Sequence, residues 1–135
     1  MTPNAGQATD AAAPNDSPAA RCTTRLFRPG DEEAVTRLLS ASYPQWPAVD
    51  TDASAFEHLR WKIAEPQPAG LVLGEIDSEI VGLSMRSIRT ASVGHDELLL
   101  QHGFDSCVRP DYRGSGVMST VRSSFRDLLP TRATC

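Results

Sequence analysis

Two periodicities take turns along the chain. Behind Asp31, apolar positions Val35, Leu38, Leu39 and Tyr43 recur at helical spacing, and Glu32 and Glu33 stand where the positive end of a helix dipole would be. Pro44 stops that helix. After the 44–47 loop a second helix is expected to begin past Thr51 or Asp52, with Phe56, Leu59 and Ile63 on one face, and the Pro- and Gly-rich stretch 65–70 breaks it. The period then drops to two. Residues 71–76 and 80 to about 88 read as strands joined around Asp77-Ser78-Glu79, and in the second of them Val81, Leu83 and Met85 alternate with Gly82, Ser84 and Arg86, as in a sheet with one covered face. An earlier strand is expected over 22–27, ended by Arg28-Pro29-Gly30. A looser region around 92–96 leads to a fourth strand within 98–108, and Val117, Val121, Phe125 and Leu128 mark a last helix. The order strand, helix, helix, three strands, helix predicts an α/β domain of the mixed α+β kind.

The remaining composition narrows this little. At 135 residues the chain is long enough for one domain with a real core, expected over 22–135, and no second domain is expected. Residues 1–21 carry no large apolar residue after Met1 and read as a disordered tail. A formal charge of -4 gives no electrostatic reason to expect nucleic acid, and 12 arginines against one lysine look like coding bias. No apolar run approaches the roughly 18 residues of a membrane span, and the start lacks a signal peptide's basic front and apolar middle, so a cytoplasmic address is expected. Cys22, Cys107 and Cys135 are widely spaced and odd in number, as expected of reduced thiols. His58, His95 and His102 share no metal-ligand spacing, so no metal is expected.

The chemistry concentrates at the end of the fourth strand, in Val108-Arg109-Pro110-Asp111-Tyr112-Arg113-Gly114-Ser115-Gly116-Val117. Pro110 removes a ladder donor and biases Arg109 toward an extended conformation, so the strand should stop there. Gly114 and Gly116 clear side-chain bulk, and a helix starting near Val117 would aim its first amides into that space, with Arg113 adding a full charge. That is a cradle for a di-anion. A Walker loop needs a Gly-Lys pair, yet the single lysine is Lys62. A dinucleotide fingerprint needs Gly or Ala where Ser119 stands and an acidic residue about 20 positions on, beyond the sequence.

Strand, x-Pro, Asp-Tyr-Arg-Gly-x-Gly-Val, helix closely resembles the acetyl-CoA pyrophosphate loop of the GNAT superfamily of N-acyltransferases. Its pattern is Arg or Gln, two residues, Gly, one residue, then Gly or Ala. Arg113 and Gly116 match, while Met118 holds the last position, where a small residue is usual. The resemblance runs from about residue 24 to 129 and includes Phe27-Arg28-Pro29-Gly30-Asp31 and Ile80-Val81-Gly82. It implies a mostly antiparallel sheet flanked by helices, with the family's later strands absent from this sequence.

The same resemblance implies acetyl-CoA or a related acyl-CoA as donor and a primary amine as acceptor. It places the donor on Cys107, Val108, Arg113, Gly114, Ser115, Gly116, Val117 and Met118, with the amide near Cys107 or Val108 polarising the thioester carbonyl. Asp105 and Glu97 are the candidate general bases, and His102 could also accept a proton near neutral pH. Cys107 reads as a small core residue rather than a nucleophile, because no base adjoins it in sequence. Arg109, Arg122 and Arg126 are candidates for the phosphates, and Tyr43, Trp46 and Trp61 for the acceptor pocket. With the family's next strand missing, the fourth strand's edge is expected to promote self-association and impair turnover. A non-catalytic acyl-CoA-binding remnant and, more remotely, a nucleotide-binding fragment are the alternatives.

Overall fold

The computed structural model describes residues 16–47, 52–64 and 69–128. Its four strands are β1 (Thr23–Leu26), β2 (Ala69–Ile76), β3 (Glu79–Val93) and β4 (Asp96–Val108), hydrogen-bonded in that order and antiparallel throughout. Helices are α1 (Pro18–Arg21), α2 (Glu32–Ser42), α3 (Ala55–Ile63), α4 (Val117–Ser123) and α5 (Phe125–Leu128). The expected mixed α+β class and mostly antiparallel sheet are what is observed.

The sheet separates two apolar layers. On one face α2 and α3 deliver Val35, Leu38, Leu39 and Leu59 onto Leu71, Leu73, Leu83, Met85 and Cys107. On the other, α4 and α5 deliver Val117, Val121 and Phe125 onto Val72, Ile76 and Val81. Val81 therefore does not share a face with Leu83 and Met85, as strict alternation predicted. Gly74 pairs with Gly82 and Glu75 with Ile80, so Val81 is an extra residue, and a bulge of this kind turns the following side chains over. Gly74 and Gly82 then make room for α4. A Cβ at Gly74 would lie 2.7 Å from Val121 Cγ2, and one at Gly82 would lie 3.1 Å from Val117 Cγ1.

Helix starts follow local chemistry. Ser54 and Glu57 form a reciprocal capping box at α3. Asp31 occupies the cap position of α2 without making a side-chain cap bond. Its carboxylate instead receives both terminal nitrogens of Arg25, at 2.6 and 2.8 Å, and the Arg28 amide at 2.9 Å, while Arg25 also reaches Glu75 at 2.7 Å. These bonds fasten β1 to α2, and Arg25 holds the Asp31 carboxyl below its ordinary pKa.

Three boundaries differ from expectation. The looser region around 92–96 is the tip of a long hairpin: beyond Ala69↔Ser87, residues 88–93 and 96–101 pair with each other and with no other strand among the described residues. The last helix breaks at Ser124, whose hydroxyl donates to the Val121 carbonyl at 2.7 Å. Residues 1–15 of the expected tail, like Cys135, lie outside the described residues, but Pro18–Arg21 is a helical turn capped by Ser17 and joined to the β2–β3 turn by Arg21 and Asp77. Cys22 and Cys107 are buried free thiols. No helix among the described residues is long and apolar enough to cross a membrane.

Candidate functional site

β4 ends against β3 with the Arg109 amide donating to the Val81 carbonyl at 2.7 Å. In an antiparallel ladder the neighbouring residue faces the other way, so Val108 presents its amide on the outer edge of β4, where no strand pairs among the described residues. Pro110–Tyr112 then makes a 3₁₀ turn, and the chain crosses Gly114 at φ +73° and Gly116 at φ +88°. Both values favour glycine. The first bond within α4 runs from the Thr120 amide to the Gly116 carbonyl at 3.1 Å, so the Val117, Met118 and Ser119 amides precede it, and no side chain caps them.

The cradle's side chains are sorted by their partners. Ser115 turns its hydroxyl back onto the Tyr112 carbonyl, leaving only its backbone for a ligand. Arg113 is exposed and makes no ion pair among the described residues. Space above Gly114 is open. Gly116 is different, because a Cβ there would approach Ala19 of α1 to 3.1 Å. That contact, from a segment expected to be a tail, could not be read from a stretch rich in Ala and Pro.

Arg109 does not join this group. It donates to Glu79 at 2.8 Å and to both oxygens of Asp111 at 2.7 and 2.9 Å, which raises its pKa and commits its charge to carboxylates. Arg126 lies exposed on α5.

Further back along β4 the strand bulges. Leu83 pairs with Cys107 and Met85 with Phe104, so Asp105 and Ser106 together face Ser84, and Asp105 takes a left-handed φ of +46°. Asp105 is paired with Lys62, and the Lys62 ammonium lies 4.7 Å from the Phe104 ring centre. The Tyr43 hydroxyl donates to the Ser106 carbonyl at 2.6 Å, tying the end of α2 to the outer edge of β4. Burial raises the pKa of Tyr43, and burial pushes the Cys107 thiol up to about 11, so Cys107 stays protonated at neutral pH.

Two cavities of about 480 Å³ meet at Tyr43 and Asp105. One is aromatic and lies on the α2 side, with Trp46 and Pro47. The other is polar and reaches Ser84, Arg86, Ser106 and Arg122. Trp61 is 70% exposed and lines neither. His58 packs between Trp46 and Trp61, and burial, with Lys62 nearby, lowers its pKa. His102 stacks on Phe104, and His95 is at the hairpin tip. Glu97 is not brought to the site. It pairs with Ser92 near that tip, roughly 35 Å along the strand from Val108 at about 3.3 Å per residue. No group of three or more metal-ligating side chains occurs among the described residues.

Neither a scan of protein-family models nor a search of curated proteins finds a match to this chain. Solved structures do match. A probable N-acyltransferase from Enterococcus faecalis aligns at TM-score 0.62 and 12% identity over 77% of this chain and 25% of its own. The ribosomal-protein-alanine N-acetyltransferase of Brucella melitensis aligns at 0.62 and 17% over 78% of this chain and 70% of its own. AAC(6')-Iy, solved with the bisubstrate analogue CoA-S-monomethyl-acetylneamine, aligns at 0.58 and 17% over 78% and 69%. The fold is that of the GNAT N-acetyltransferases. The chain thus spans a quarter of the Enterococcus protein and about 70% of the other two.

Proposed function

We propose that the chain carries the donor-binding part of an acyl-CoA-dependent N-acyltransferase, acting with acetyl-CoA or a related acyl-CoA on a primary amine. The observation that carries this reading is the uncapped start of α4, entered through two left-handed glycines and placed directly beside the outward amide of Val108. Unpaired amides and the adjoining Arg113 suit the diphosphate, and the open edge of β4 suits the amide-bearing arm that joins it to the thioester.

In this reading the Val108 amide donates to the thioester carbonyl as charge builds on its oxygen. The neutral amine attacks that carbon, the C–S bond breaks, and the proton lost by the amine nitrogen ends on the thiol of free CoA. Asp105 faces the junction of the two cavities and is the candidate to receive the amine's proton, with Lys62 fixing its carboxylate.

Gly114 provides the decisive test, because Asn and Asp both tolerate left-handed backbone and nothing occupies the space above it. Gly114→Asp and Gly114→Asn differ only in charge. Calorimetry should show Asp binding acetyl-CoA roughly 10- to 100-fold more weakly than Asn, the loss of one charge-assisted interaction. Equal affinities would remove the anion cradle. Thiol release stimulated by amines of graded size would then report turnover.

A further inference from the structure

The polar cavity holds two positive charges that no carboxylate in it offsets. Arg86 projects from β3 with its guanidinium 4.0 Å from the Phe125 ring centre, and donates to the Gln101 side-chain oxygen at 3.1 Å. Both partners are neutral. Arg122, exposed on α4, makes no ion pair among the described residues. Among the described residues the cavity's one acid is Asp105, and Lys62 holds it. Ser84 and Ser106 share a hydroxyl hydrogen bond at 2.8 Å and bring further polar capacity. Stacking and the Gln101 bond fix the Arg86 fork before any ligand arrives, so a planar carboxylate would meet a preorganised partner.

Position decides which molecule brings that carboxylate. Arg86 touches Phe125 and Arg122 belongs to α4, so this cavity opens on the α4 face, the face that the glycine loop leads into. The aromatic cavity with Trp46 belongs to the α2 face instead. The polar cavity also contains Ser106, two residues from the Val108 amide that would hold the thioester carbonyl. Atoms attached to that carbonyl carbon are those of the transferred acyl chain. We propose that the donor's acyl chain ends in a carboxylate, a short dicarboxylic acid joined to CoA through one end, and that Arg86 and Arg122 select it. This rests on the reading of the chain as an acyl-CoA-dependent transferase.

Succinyl-CoA and butyryl-CoA have acyl chains of equal carbon count and differ in the terminal charge, so their relative affinity isolates the proposed contact. Calorimetry should give succinyl-CoA at least about 10-fold tighter than butyryl-CoA, and Arg86→Met should bring the ratio toward one. Because Arg86 also packs on Phe125, exposed Arg122→Met provides a second variant in which folding is not at stake, and it should lower the same ratio. If free CoA binds while the two thioesters bind equally, the carboxylate assignment falls and the transferase reading survives. If neither thioester nor free CoA binds, both fall together. With acetyl-CoA as donor, a preference for β-alanine over propylamine, joined to no preference for succinyl-CoA, would put the carboxylate on the acceptor and overturn the assignment.

Discussion

The two ends of the β3–β4 hairpin are made from the same pair of strands and have little else in common. Near Val108 the strands lie between two apolar layers: Leu83, Met85 and Cys107 are covered by α2 and α3, and α4 covers Val81 and Gly82. At the other end, residues 88–101 form a two-stranded arm with Val93, Leu98 and Leu100 exposed. Chemistry needs atoms held in place, and only the first end holds them. There each irregularity has a partner: the Val81 bulge is filled by α4, the Asp105 bulge is held by Lys62, and the outward Ser106 carbonyl is taken by Tyr43. A two-stranded ribbon without a covering layer is marginal in water.

The sharpest way to break this contrast is to overfill the covered end. Gly74→Val would drive a Cβ to 2.7 Å from Val121 Cγ2 and 2.9 Å from Cys22 Sγ, both in side chains packed beneath α4. The expected cost is about 3 kcal/mol of unfolding free energy, at the upper end for overpacking, read from urea denaturation. An ordinary substitution on the arm, Leu100→Thr, should change the same quantity by no more than about 0.5 kcal/mol. Similar losses at both sites would mean that the arm is as tightly covered as the sheet, and the comparison would fail.

A smaller effect comes from the charge cluster that joins β1 to α2. Arg25 depresses the folded-state pKa of Asp31 below the ordinary 3.8. A carboxyl lowered in this way contributes stability above its unfolded pKa, and that contribution is lost as pH falls through the folded value. Asp31→Asn should therefore cost about 1 to 2 kcal/mol at pH 7, since both partners are only partly exposed, and should flatten the fall in stability below pH 4. Unfolding titrations at pH 7 and pH 3 check it. A variant whose stability falls with acid as steeply as the parent's would show that Asp31 does not govern that limb.

The contrast also explains what the sequence made legible. The turn through Gly114 and Gly116 was readable because left-handed backbone demands glycine at fixed offsets, and the apolar faces of α2 and α3 were readable from spacing alone. Glu97 and Asp105 looked equivalent as carboxylates on one strand, but only register reveals that one is near the tip and the other at the bulge. Arg109 resembled a phosphate ligand until Glu79, 30 positions away in sequence, took it. Nor does alternation announce a bulge: Val81 obeys the period of two in sequence and leaves it in space because Glu75 pairs with Ile80. Arg86 was an ordinary strand arginine, and Arg122 a candidate phosphate ligand only, until β3 and α4 brought them to one cavity.

The mildest effect concerns the arm and the bare edge. Outer backbone groups of β4 have no strand partner among the described residues, and the arm adds Leu98 and Leu100 on the same strand, so edge-to-edge pairing between copies of the chain is open to it. The Val108 end should contribute less, because Tyr43 already occupies the Ser106 carbonyl and α4 follows closely. Light scattering of the 135-residue chain should show weak, concentration-dependent association, and Leu100→Lys should reduce it by placing a charge on the paired edge without touching either apolar layer. Hydrogen exchange gives the matching local readout: amides of 88–101 should exchange faster than those of 81–85, and slow down as concentration rises. Association untouched by Leu100→Lys, with protection gained near Ser106 instead, would move the contact to the other end of the hairpin and make the site itself the exposed surface.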